Sequence, residues 1–206
     1  MKLKIWEISL MMAVVIAVLW GVLLGSDQSE LSGKLIRLHV VANSDEREDQ
    51  EVKLMVRDAV LEEVDKILEG GENKNEACEK IGNNLTSIRR AAEETLAEQN
   101  VMNPVNVSLE KEHYPTRDYE SFSLPAGNYT SLKVSIGRAE GRNWWCVVFP
   151  PLCVEAAEGG VSGAGRAMKT SGLTDDEVAL ITEDNTGYLI RFKALEILDS
   201  LKEALR

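Results

Sequence analysis

The sequence predicts an α+β domain, a small mixed or antiparallel sheet covered by two antiparallel helices, with an N-terminal membrane segment and a C-terminal helix. Three observations predict it. Short β-rich, alternating runs recur at residues 34–41, 105–109, 129–136 and 144–149. Two long stretches between the first two runs repeat apolar residues at helical spacing. Near the N-terminus an uncharged apolar run of roughly 18 residues approaches the length that spans a bilayer.

That run covers residues 8–25, behind Lys2 and Lys4 and ahead of Asp27 and Glu30. The positive flank stays in the cytoplasm, so the body is expected to be exported. Residues 1–30 therefore read as a signal peptide or membrane anchor. No Ala-x-Ala site follows, and Leu23-Leu24-Gly25 is a poor substitute. Release and tethering both stay open. The chain has 23 basic and 34 acidic residues, a net charge of −11. That charge repels phosphate backbones and disfavours adhesion to anionic membrane surfaces, so no nucleic-acid partner is expected.

The first strand, 34–41, puts Leu35, Arg37 and His39 on one face and Ile36, Leu38 and Val40 on the other. Asn43-Ser44-Asp45 stops it, and Asp45 with Glu48 forms a capping box for a helix over 46–69. Val52, Val56, Ala59, Val60, Val64, Ile67 and Leu68 make its stripe, and Gly70-Gly71 ends it. A second helix over 74–99 carries Cys78, Ile81, Leu85, Ile88, Ala92 and Leu96. The short loop between them predicts antiparallel packing. Val105, Val107 and Leu109 alternate as a second strand, and 113–119 is aromatic, polar and irregular. Residues 129–136 form a third strand, 137–142 a hairpin loop, and 144–149 the strand that pairs back. Pro150-Pro151 ends that strand, because proline has no N–H for a ladder.

The folded unit is expected to span 34–153. Residues 154–186, rich in Gly, Ala and Ser up to residue 172, read as a flexible linker. A short helix at 174–182, capped by Thr174 and Glu177, fits within it. Residues 187–206 form an amphipathic C-terminal helix, with Leu189, Phe192, Leu195, Leu198 and Leu201 on a stripe that needs a partner.

The sequence holds no Gly-rich phosphate loop, His-Glu-x-x-His, Gly-x-Ser-x-Gly or Cys-x-x-Cys. His39 and His113 are its two histidines and have no ligand spacing, so neither metal nor cofactor is expected. Cys146 and Cys153 close a loop of eight residues, which the proline turn brings within bridging distance. In an exported protein they form a disulfide; the alternative is two reduced thiols. A bridged Cys146 excludes a thiol nucleophile paired with His113. Cys78 lies on an apolar helix stripe and reads as a small core residue.

The order of motifs adds a resemblance. Arg37-Leu38-His39-Val40-Val41-Ala42-Asn43-Ser44-Asp45 is followed by Glu48-Asp49-Gln50 and Lys53-x-x-Val56-Arg57-Asp58-Ala59-Val60. Tyr114-Pro115-Thr116-Arg117, Leu124-Pro125-Ala126-Gly127-x-Tyr129 and Leu132-x-Val134-x-Ile136-Gly137 come next. Last is Gly141-x-Asn143-Trp144-Trp145-Cys146-x-x-Phe149-Pro150-Pro151-Leu152-Cys153. These strings, over about residues 35–153, resemble the stage II sporulation protein R family. The resemblance implies a signal made in the forespore and exported across its membrane into the intermembrane space, where an uncleaved N-terminal anchor would retain it. There it activates a membrane-embedded aspartyl protease, which removes the pro-segment of the mother-cell sigma factor. It implies no catalysis by the signal itself.

Arginines and aromatics are the usual hot spots of such contacts. The candidate contact residues are Arg37, His39, Asn43, Asp45, Arg117, Trp144 and Trp145. Each has a plainer reading: core packing for the tryptophans, a paired surface charge for Arg37, a hydrogen-bonded strand histidine for His39, helix capping for Asp45. Two rival classes are an extracytoplasmic cell-wall or peptide hydrolase and a membrane-anchored structural protein assembling through its C-terminal helix.

Overall fold

The first strand, β1 (Ile36–Val41), is buried along its whole length. Its two faces differ in chemistry, and each is covered by a different layer. The computed structural model describes residues 30–69 and 73–182, with a few isolated positions before residue 14. The N-terminal apolar run lies mostly outside the described residues, and the C-terminal helix wholly so. Among the described residues no helix is long and apolar enough to cross a membrane.

Ile36, Leu38 and Val40 face three helices: α1 (Arg47–Leu68), α2 (Lys74–Asn83) and α3 (Leu85–Glu98). Val52, Val56, Val60 and Val64 of α1 meet Ile88, Ala92 and Leu96 of α3 over the sheet, with Ala77 and Ile81 of α2 beside them. Each stripe follows helical spacing, so burial rather than intrinsic propensity holds these valines in helix. The helix expected over 74–99 is broken at Asn84 (φ −115°, ψ 15°), whose backbone N–H bonds to Ile81 O and whose side chain donates to Lys80 O at 2.8 Å. Asparagine competes with the helical ladder in this way, which ends α2 and starts α3.

The strands β2 (Val105–Tyr114), β5 (Gly127–Ile136), β1 and β6 (Asn143–Phe149) form one sheet in the order β2-β5-β1-β6. β3 (Arg117–Asp118) and β4 (Ser123–Leu124) form a separate small pair. β5 and β6 are not a hairpin. β1 lies between them, parallel to β5 and antiparallel to β6. The loop at 137–142 therefore passes over the end of β1. Gly141 and Glu140 donate to Ala42 O and Asn43 O at 3.0 and 3.2 Å, and Asn43 Oδ1 accepts from the Arg138 N–H at 3.0 Å. Asn43 Nδ2 donates to Asp49 at 2.8 Å, tying the crossover to α1. Asp45 accepts from the Arg142 N–H at 2.7 Å, and the side chain of the α1 N-cap, Glu46, makes no capping bond. The capping box expected of Asp45 and Glu48 does not form, because the crossover takes Asp45.

Gly137 sits at φ 59°, and a Cβ there would collide with the Asn43 side chain. Gly137→Ala is thus expected to cost about 2–3 kcal/mol, combining left-handed strain with a displaced Asn43. Thermal denaturation reads this directly; an unchanged melting temperature would contradict the crossover geometry.

The other face of the sheet corrects a further expectation. The stretch 154–186, read as flexible linker, contains most of α4 (Leu152–Thr170) and all of α5 (Asp175–Thr182). The two helical parts of α4 meet at Gly160 (φ 57°). Ala164, Ala167, Met168, Leu173, Val178 and Ile181 bury against Leu31, Leu35, Phe122, Leu124, Tyr129 and Val147. Its small residues permit close packing on the sheet rather than mobility. Thr174 and Glu177 form the expected capping box: the Glu177 carboxylate accepts from the Thr174 N–H at 2.8 Å, and Thr174 Oγ1 accepts from the Glu177 N–H at 3.3 Å. Lys34 Nζ reaches Glu177 at 2.8 Å and anchors α5 beside the start of β1.

Candidate partner-binding groove

β6 lies at the edge of the sheet, and its two tryptophans point to opposite faces. Trp144 turns towards α1, where the Arg57 guanidinium lies 4.3 Å from its ring centroid. Trp145 turns the other way and stacks on His39 at 3.7 Å and 15°, with Tyr114 edge-on at 4.6 Å. Arg117 sits 5.7 Å from the Trp145 ring. Between these walls, along β6, runs a groove of about 770 Å³ lined by Arg57, Leu61, Arg117, Tyr119, Trp144 and Trp145 among others. Cys146 and Cys153 line it as well and are disulfide-bonded, with Cα atoms 5.9 Å apart. Cys78 is the free cysteine, and burial raises its thiol pKa.

Beneath the Trp145 wall lies a polar layer. Arg37 is 0% exposed. Its guanidinium sits 4.0 Å from the Tyr114 ring centroid and 4.9 Å from that of Tyr129. Nη2 donates to the Tyr119 hydroxyl at 2.6 Å, while Nε and Nη1 have no partner. The aromatic faces supply part of the stabilisation that water would otherwise give this charge. Burial raises the pKa of Tyr114, Tyr119 and Tyr129, so all three hydroxyls stay protonated.

His39 is buried too. Its Nδ1 lies 3.0 Å from the Glu112 carboxylate and its Nε2 2.9 Å from Asn143 Oδ1. Glu112 also accepts from Lys133 Nζ at 3.0 Å and Ser131 Oγ at 2.9 Å. Burial alone would raise the Glu112 pKa, but the bonds from Lys133, His39 and Ser131 outweigh it and hold the carboxyl below its ordinary 4.5. Glu112 therefore contributes stability that is present above pH 4.5 and lost as pH falls through the depressed value. Glu112→Gln should melt below the native protein at pH 7, and the gap should close on acidification below pH 4.5. Melting curves that stay parallel from neutral to acid pH would contradict this.

The candidate residues thus separate into three groups. Arg117, Trp144 and Trp145 come together on the groove. Arg37 and His39 are buried behind it rather than exposed as contact residues: the rings of Tyr114, Tyr119 and Tyr129 enclose Arg37, and Trp145 stacks over His39. Asn43 and Asp45 hold the crossover and do not line the groove. Sequence reasoning missed Arg57, Leu61, Tyr119 and Phe122. Arg57 and Leu61 lie at i, i+4 on α1, beside its apolar stripe, and their role shows only once β6 is known to be the edge strand. Tyr119, the last residue of the segment that reads as irregular, stacks at 4.5 Å on Phe122 just beyond it. Among the described residues no group of three or more His, Cys, Asp or Glu side chains could hold a metal ion.

The family model for stage II sporulation protein R matches residues 32–158, which include β1 to β6 and the groove. The chain belongs to that family. The stage II sporulation protein R of Bacillus subtilis (strain 168) is 37% identical over 118 residues, covering 57% of this chain and 53% of that relative. The match thus spans about half of the relative's length. No solved structure matches the chain. Membership places the chain in sporulation, and the matched span contains each of Arg57, Arg117, Trp144, Trp145, Cys146 and Cys153.

Proposed function

We propose that this protein is an exported sporulation signal that activates a membrane-embedded aspartyl protease and so triggers processing of the mother-cell sigma-factor precursor. In this reading it crosses the forespore membrane into the intermembrane space, either released or held by its N-terminal segment. It acts as a ligand and performs no chemistry. Activation is a population shift: the signal binds the active state of the protease more tightly than the inactive one.

The observation that carries the reading is the groove. Two tryptophans and two arginines line a concavity beside a disulfide, on a strand fixed from behind by packed aromatic and polar layers. Rigid aromatics and arginines around a pocket are what interface hot spots consist of. The contact set becomes Arg117, Trp144, Trp145 and Arg57, with Arg37 and His39 positioning Tyr119 and Trp145. A hydrolase built on an acidic pair would need one of its carboxyls held protonated as general acid. The shifts resolved at Asp49, Glu112 and Glu177 all run the opposite way.

The test is reconstitution in a non-sporulating host that expresses this protein, the protease and the sigma precursor. Cleavage should require all three. Cleavage without this protein, or none with it exported and intact, would overturn the proposal.

A further inference from the structure

We propose that the Cys146–Cys153 bridge is a redox switch on the groove: the dithiol form is silent, and oxidation after export fixes the groove in the shape that activates. The inference rests on the activation reading above and names the regulation of that site.

The walls of the groove come from two different layers. Arg57 and Leu61 belong to α1, and Leu61 packs against the cluster between the helices and the sheet. Phe122 and Leu152 belong to the cluster on the opposite face, with Tyr119 and Trp145 packed against it. β6 runs between the layers as an edge strand, paired with β1 on one side and, among the described residues, with no strand on the other. Leu152, at the start of α4, buries in the second cluster, as do Ala164, Ala167 and Met168 further along. Cys153, the next residue, packs instead against the first cluster, in which Cys146 is buried. The bridge is thus a covalent cross-link between the layers, on the lining of the groove. The Val147 N–H donates to Cys153 Sγ at 3.2 Å, so the same sulfur covers the outer edge of β6 two residues from Trp145. In the dithiol no bond holds the start of α4 to this edge, and the two sulfurs need van der Waals separation. The walls then shift relative to each other, and the edge at Val147 opens locally.

Access makes the bond exchangeable. Both cysteines line the groove; Cys153 is half-buried, whereas Cys146 is 5% exposed. Thiol–disulfide exchange needs a sulfur that an external partner can reach, so exchange runs through Cys153. In the oxidising direction the Cys153 thiolate attacks a disulfide of the oxidant, forming a mixed disulfide and expelling one thiolate. The Cys146 thiolate then attacks Cys153 Sγ, closing the bridge and expelling the second. The protein gives up two electrons and two protons, and the oxidant, a small-molecule or protein disulfide, leaves as two thiols. Cytoplasmic thiols run the same exchange backwards and keep the pair reduced where the chain is made. Cys78 lies on α2, away from the groove lining, and burial raises its thiol pKa. Its thiolate is therefore scarce at neutral pH and does not compete for the oxidant.

The experiment titrates the reconstituted protease and its precursor with the full-length protein in three states. These are oxidised, reduced with dithiothreitol and freed of reductant without air, and reduced then reoxidised with oxidised glutathione. The dithiol form should need at least about tenfold more protein for half-maximal cleavage, as a competent fraction of about one tenth requires. Reoxidation should restore the native titration. Amide exchange at Val147 should be at least about tenfold faster in the dithiol form, which should still melt cooperatively. The Cys146→Ser, Cys153→Ser double variant should match the dithiol form and ignore oxidised glutathione; the dithiol form of the native chain carries the test if that variant does not fold. Equal titrations in all three states, or Val147 exchange unchanged by reduction, would overturn the switch and leave activation standing. A dithiol form that melts without cooperativity would make the bridge a requirement of folding and overturn the switch as well. No cleavage with the oxidised protein would overturn the activation reading and the switch with it.

Discussion

Arg37→Ala is expected to melt about 6–12 °C below the native protein, a loss of about 3 kcal/mol for a chain of this size. The side chain is fully buried between Tyr114 and Tyr129, so truncation leaves a cavity and removes the Tyr119 hydroxyl's donor. Both effects belong to the short list that produces large destabilisation. The sequence alone predicts the contrary, an exposed arginine whose removal leaves melting unchanged. Arg37→Met separates packing from charge. It keeps an unbranched side chain of comparable reach and removes a buried cation whose Nε and Nη1 have no partner. Replacing an incompletely paired buried charge by an apolar side chain of similar volume is often neutral or stabilising. The Met variant should therefore melt close to the native protein or above it. An Ala variant that melts with the native protein would refute the buried-cation layer.

The second large effect is functional. Trp144→Ala should lower activation of the protease at least about 30-fold, the factor that corresponds to the roughly 2 kcal/mol of a hot-spot residue. Its effect on folding should be about 1 kcal/mol or less. Trp144 is 36% exposed, and its neighbour on α1 is Arg57, a cation–π contact of modest energy at such a site. Trp145→Ala will not separate the two properties so cleanly. Trp145 stacks on His39 and abuts Tyr114, so its loss should lower melting and activation together. Trp144→Ala at native melting and native activation would remove the groove from the mechanism.

The two faces of β1 were legible as alternation, with Ile36, Leu38 and Val40 opposite Leu35, Arg37 and His39. What alternation could not show is that both faces are buried. The second layer includes α4, whose Gly- and Ala-rich composition resembles a linker when read locally, together with α5, the short helix expected at 174–182. Arg37 and His39 are buried by rings distant in sequence, Tyr114, Tyr119 and Tyr129 around the first and Trp145 over the second, which no local pattern shows. The β5–β6 hairpin failed for a related reason. Adjacent strands with a glycine-bearing loop favour pairing, but the apolar face of β1 demands a central position, and the contacts that seat it there join residues about a hundred positions apart. Asp45 shows the same competition at one side chain: a local capping pattern gave way to the distant Arg142 N–H. Arg117, Trp144 and Trp145 were legible because residue type alone marks them as contact residues. Arg57 was not, since an arginine on an amphipathic helix is ordinary until a tryptophan is found stacked on it.

The most direct test of the central claim, that the β6 groove carries the activating signal, is a titration of the reconstituted protease and its sigma-factor precursor with the purified full-length protein. Native protein and Trp144→Ala would be compared after their melting temperatures have been shown to agree. The account predicts cleavage that saturates with the native protein and requires about 30-fold more of the variant. Superimposable titrations, or cleavage at full rate with no signal protein added, would contradict it.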